Sequence, residues 1–184
     1  MTRPGGIGPI VLVGMMATGK STVGRAVARR MGREFFDSDA MIEARQAKTV
    51  AQLWEEGGEA AYRTLESDVL QEALGAEPPG VVAAAGGVVL AAANRVMLQR
   101  VSEEGGVVVW LRASPDLLAT RVRPNDHRPL LRDDPEGTLR RLATERESLY
   151  AEVADRVLDV DHLPVDEVVE AVVAEVGAYS GPSR

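Results

Sequence analysis

The sequence predicts an α/β protein with a parallel sheet, and three observations carry that expectation. Strand-like and helix-like segments alternate along the chain, the order that builds βαβ units. Ile10-Val11-Leu12-Val13 and Val107-Val108-Val109-Trp110-Leu111 are apolar throughout, as strands buried on both faces must be. Between the first of these and a helical stretch lies Gly14-Met15-Met16-Ala17-Thr18-Gly19-Lys20-Ser21, which fits G-x-x-x-x-G-K-[ST] at every fixed position.

That loop has a mechanism attached to its spacing. Glycines let the backbone turn so that successive N–H groups face a phosphate, and the following helix N-terminus adds partial positive charge. Lys20 adds a full charge, and the Ser21 hydroxyl suits the shell of a Mg²⁺ ion. Strand, glycine-bounded loop and helix in that order predict a nucleoside triphosphate site.

The bulk composition excludes several classes. The 184 residues carry a net charge of −7, which argues against generic binding to nucleic acid or anionic membranes. There is no cysteine, hence no disulfide, thiol nucleophile or thiolate metal site. No apolar run approaches the ~20 residues that span a bilayer, and the first residues lack the apolar core of a secretory signal. We expect a single cytoplasmic domain over residues 1–184, with loose ends at 1–8 and 178–184.

Taken in order, the first helix runs over Thr22 to Met31 and stops at Gly32. A short strand, Glu34-Phe35-Phe36, ends in Asp37-Ser38-Asp39. Ser38 or Asp39 suffices to cap the helix that follows, so Asp37 is surplus to capping and points to a site beyond the strand end. Thr49-Val50-Ala51-Gln52 has capping-box form, and Gly57-Gly58 breaks the helix it opens. From Glu59 to Leu74 the spacing is helical, with Tyr62, Leu65, Val69 and Ala73 inward; Arg63 and Glu66 read most simply as a surface ion pair.

A third strand, Val81 to Ala84, leads into Ala85-Gly86-Gly87, where paired glycines serve either a tight turn or a close approach to ligand. Helices follow over Ala91 to Ser102 and from Ser114-Pro115, separated by the strand at Val107. Residues 121–134 hold Arg121, Arg123, Arg128 and Arg132 with two prolines and no period, which suits a lid that excludes water and brings charge to a transferring phosphoryl group. A long helix then runs to about Ala154 with Arg146 on its apolar face; it either meets an anion or snorkels to solvent. Val157 to Val160 is the fifth strand, and the valine-rich helix after Pro164 reads as scaffold.

Together these segments resemble the shikimate kinase family across nearly the whole chain. The resemblance rests on the loop Gly14 to Ser21 continuing through Thr22-Val23-Gly24, on Asp37-Ser38-Asp39, and on Gly58-Glu59 through Tyr62-Arg63 to Glu66. It rests further on Gly86-Gly87, on Arg128-Pro129-Leu130-Leu131, and on Arg146 with Tyr150. It implies a three-layer P-loop NTPase fold of the nucleoside monophosphate kinase-like type, with a five-stranded parallel sheet and a mobile lid.

The implied activity is ATP-dependent phosphorylation of the 3-hydroxyl of shikimate, with Mg²⁺, in chorismate and aromatic amino acid biosynthesis, by a monomer. By matching position, Gly14, Met15, Met16, Ala17, Thr18, Gly19, Lys20, Ser21 and Thr22 would hold ATP, with Arg121 on the adenine. Asp39 would bind the shikimate hydroxyls and receive the proton. Arg63 and Arg146 would clamp the carboxylate, and Gly86 and Gly87 would offer backbone. Arg128 would reach the transferring phosphate, and Asp37 would hold Mg²⁺ through water beside Ser21.

Two departures concern backbone: glycine is usual where Ala17 and Ala85 stand. Ala17 is unstrained only if its φ is negative, and Ala85 is read as the strand's last residue. Two other readings are a related small-molecule kinase, such as one for gluconate, and a nucleotide-binding regulator without catalysis. The intact set Lys20, Ser21, Asp37, Asp39 and Arg128 speaks against the second.

Overall fold

A computed structural model describes residues 8–122, 131 and 134–178. The sheet has five parallel strands: β1 (Ile10–Val13), β2 (Phe35–Asp37), β3 (Val81–Ala83), β4 (Val107–Arg112) and β5 (Arg156–Asp159). They lie in the order β2-β3-β1-β4-β5. β1 therefore sits between β3 and β4, with Leu12 level with Ala83 on one side and Val109 on the other. Its four residues are fully buried, which is why an unbroken apolar run stands there.

Side chains alternate across the sheet and feed two cores. On one face Val11, Val13, Val82, Val108 and Trp110 meet α3 (Val50–Leu74), α4 (Ala92–Glu103) and α6 (Pro135–Val153). On the other, Ile10, Leu12, Val107, Val109 and Leu111 meet α1 (Lys20–Met31) and α7 (Val165–Ala178). This is the expected three-layer arrangement. Truncating a fully buried residue such as Leu12 to alanine costs about 2–5 kcal/mol. Among the described residues, no helix is long and apolar enough to cross a membrane.

Local signals read from the sequence recur as geometry. Gly32 closes α1 in the left-handed region at φ 63. Thr49 and Gln52 form a reciprocal capping box at the start of α3. The expected break at Gly57-Gly58 is present as a kink at the non-helical Gly58, φ 71, where two helical stretches meet within α3. A one-turn 3₁₀ segment (Val88–Leu90) precedes α4, and α5 (Pro115–Arg121) starts on Ser114 with proline in its first turn.

Candidate active site

The strands' carboxyl ends line one edge of the sheet, and a cleft of ≈ 510 Å³ opens there. Its lining brings together Met16 to Thr22, Asp37, Asp39, Ala85, Gly86 and Arg121. Residues more than 100 positions apart in sequence thus share one cavity.

The loop after β1 is held by backbone constraints. Gly14 has φ 141, and a Cβ there would stand 2.5 Å from the Leu111 carbonyl, so both conformation and space demand glycine. Gly19, at φ 97, precedes α1 with no side-chain cap, leaving the first-turn N–H groups to an anion. Lys20 Nζ folds back to donate to the Gly14 and Met15 carbonyls, 2.8 Å each. Buried Thr18 donates through its hydroxyl to Met15 O at 2.9 Å. Ala17 has φ 64, so the condition for a relaxed alanine is not met. Its Cβ crowds the backbone at a cost of about 1–2 kcal/mol. Ala85 lies two residues past the end of β3 rather than ending it, and it is not among the positive-φ residues.

The Asp37-Ser38-Asp39 element corrects one inference. Asp37 itself caps α2 (Ser38–Gln46), its carboxylate accepting from the Ala40 N–H at 3.2 Å. The idea that Asp37 is surplus to capping therefore falls. Its place in the cleft stands, because Asp37 and Ser21 line the same cavity. A carboxylate retains lone pairs after one capping bond. A hydroxyl and one carboxylate are hard oxygen donors of the kind Mg²⁺ uses beside phosphates and its own waters. Among the described residues no group of three or more His, Asp or Glu side chains is placed to hold a metal ion.

A second group of polar side chains gathers around the glycine turn. Arg63 pairs with Glu66 at 2.6 Å and with Glu59 at 2.8 Å. Glu66 is only 2% exposed, so the pair is not the surface bridge that spacing alone suggested. Burial pushes the Glu66 carboxyl above its usual range, against the pull of Arg63. For the Arg63 guanidinium, burial acts to lower the pKa, but Glu66 and Glu59 outweigh it and the net direction is upward. Trp54 lies beneath the guanidinium, 5.3 Å from Arg63 Cζ to the ring centroid.

Arg146 is 2% exposed and does not snorkel. Its Nη1 donates to the Gly86 carbonyl at 3.0 Å, and its Nε is buried without a partner. Tyr150 donates to the same carbonyl at 2.6 Å, and its phenol, buried against Trp110, is pushed up to about 12 by desolvation. Gly86 also abuts the P-loop: a Cβ there would lie 3.3 Å from Met16 N. A Cβ on Gly87 would fall 1.8 Å from Arg63 Nη1, so the second glycine makes room for the arginine. The glycine turn thus touches both the P-loop and Arg63.

Arg121, exposed at the end of α5, lines the cleft together with Val160, Leu163, Val165 and Val168. The last helix therefore contributes two valines to the cavity and is more than scaffold. Arg128, with Arg123 and Arg132 of the lid reading, lies outside the described residues; Leu131 is buried in the first core. Sequence reading paired Glu66 with Arg63 but set the pair on the surface, although its spacing from Tyr62 and Val69 puts Glu66 on the inward face. The Tyr62 hydroxyl, which donates to Asp39 Oδ1 at 2.8 Å, left no signal of its own.

A shikimate kinase family model matches residues 16–177. The shikimate kinase of Bordetella avium is 44% identical over 173 residues, 93% of this chain and 80% of that one. That of Ruegeria pomeroyi is 43% identical over 166 residues, 90% and 83% of the two chains. Among solved structures, shikimate kinase from Acinetobacter baumannii in complex with shikimate superposes with a TM-score of 0.86, at 34% identity and 95% coverage of both chains. A gluconokinase from Sinorhizobium meliloti gives 0.60 at 22% identity over 93% and 92%, a likeness of fold alone. The P-loop, the glycine turn and the two arginines converge with these matches: the chain belongs to the shikimate kinase family.

Proposed function

We propose that the cleft's residues carry out the reaction of that family, transfer of the γ-phosphoryl group of ATP to the 3-hydroxyl of shikimate, a step of aromatic amino acid biosynthesis, with the following division of labour. The loop from Gly14 to Thr22 binds the ATP phosphates through its N–H groups and Lys20, and Arg121 faces the base across the apolar wall of Val160 and Leu163. Ser21 and Asp37 hold Mg²⁺, Asp37 through water. When bound, the ion neutralises charge developing on the phosphates.

Arg63 and Arg146 bind the shikimate carboxylate, a planar anion that suits guanidinium groups. The support is Arg146: a buried cation with Nε unpartnered, on the glycine turn that abuts the P-loop. Gly86 and Gly87 offer backbone beside it. Asp39 orients the acceptor hydroxyl. The oxygen bonds to the γ-phosphorus, the bond to the β–γ bridging oxygen breaks, ADP leaves, and the hydroxyl proton passes late to Asp39, a weak base. Arg128 is assigned to the transferring phosphate on sequence grounds alone. We also read the chain as a cytoplasmic monomer and a single domain over 1–184.

The test is coupled ADP release with ATP and Mg²⁺, offering shikimate or gluconate. Turnover with shikimate and none with gluconate is expected, and chelating Mg²⁺ stops it. Turnover with gluconate alone would overturn the assignment.

A further inference from the structure

We propose that the Tyr62 hydroxyl is a positioning group for Asp39, holding that carboxylate in the orientation from which it meets the acceptor hydroxyl. The inference rests on the reading of Asp39 given above. Asp39 is the second residue of α2 and is exposed, so bulk packing does not fix the orientation of its carboxylate. Tyr62, on the facing helix α3, is 3% exposed and donates to Asp39 Oδ1 at 2.8 Å. A rigid, buried donor thereby holds an exposed acceptor.

The tyrosine is itself fixed. Its ring packs with Ile42 and Val69 and lies 5.5 Å from the Trp54 ring, tilted by 51°. Burial, followed by the Asp39 charge, raises the phenol far above its ordinary value, so the hydroxyl stays protonated and remains a donor. Two residues of the same helical turn divide the acceptor's recognition: Arg63 reaches toward its carboxylate and Tyr62 sets the group that meets its hydroxyl. A merely structural role, a buried phenol needing an acceptor, predicts an effect on stability and none specific to Asp39.

A double-mutant cycle separates the two. Tyr62→Phe keeps the ring and removes the hydroxyl; Asp39→Asn keeps the shape and removes the base. Steady-state kinetics and melting temperature are measured for both single variants, the double variant and the parent. Tyr62→Phe is expected to lower kcat about five- to tenfold with the KM for ATP within about twofold. In the Asp39→Asn background the same change alters kcat by less than about twofold. Parental kcat in Tyr62→Phe, or an equal fold-loss in both backgrounds, overturns the inference while leaving Asp39 in place. Parental kcat in Asp39→Asn overturns the Asp39 assignment and this inference with it.

Discussion

The two halves of the cleft are built from different material. The donor half is one contiguous loop whose shape is set by backbone: φ 141 at Gly14, φ 97 at Gly19 and an uncapped helix start. The half we assign to the acceptor draws on α2, α3, the turn after β3 and α6: Asp39 lines the cleft, and Arg63 and Arg146 stand behind it against Gly87 and Gly86. The turn at Gly86-Gly87 joins them, abutting Met16 N on one side and Arg63 on the other. Phosphate recognition needs dipoles that eight residues can supply, whereas recognition of a small carboxylate with hydroxyls needs groups arriving from several directions. Damage should therefore fall on one substrate at a time.

The largest effect is expected on the donor side. Lys20→Ala removes the full charge from a loop otherwise limited to dipoles, and kcat/KM should fall by about 10³-fold or more in the ADP-release assay. Next is the acceptor side: Arg146→Ala should raise the KM for shikimate about 30- to 100-fold and leave that for ATP within about twofold. Arg146→Lys should recover little of the loss, since an ammonium cannot reproduce a buried guanidinium fork.

Smaller changes probe the joint. Gly87→Ala places a methyl where Arg63 Nη1 lies, so the guanidinium must move, and the KM for shikimate should rise about tenfold while the melting temperature changes little. Smallest is Ala17→Gly, which relieves the left-handed alanine at φ 64. It should stabilise by about 1 kcal/mol, raising the melting temperature by about 2–4 °C in calorimetry. A Gly87→Ala variant that loses ATP binding instead would break the division between the halves.

The same contrast decides what the sequence could reveal. The five strands and the P-loop were readable because their signals are local: apolar runs, glycine spacing and a helix opening at once. Asp37 and Asp39 both line the cleft, yet the reason given for Asp37 failed, since its carboxylate caps α2 after all. The strain at Ala17 needed the folded backbone, because the same letter is relaxed or strained depending on one torsion. Arg146 and Glu66 were legible as positions on helical faces, but whether each face was dry depended on distant packing. The bond from Tyr62 to Asp39 crosses 23 residues and two helices, and no periodicity encodes it. Backbone-built function is written locally; side-chain-built function is written in the fold.

The claim that the halves are separable is tested most directly by calorimetric titration of each substrate into Lys20→Ala and Arg146→Ala. Lys20→Ala is expected to lose affinity for ATP·Mg²⁺ and keep it for shikimate, and Arg146→Ala to do the reverse. Loss of ATP binding in Arg146→Ala, with shikimate binding unchanged, would contradict the account.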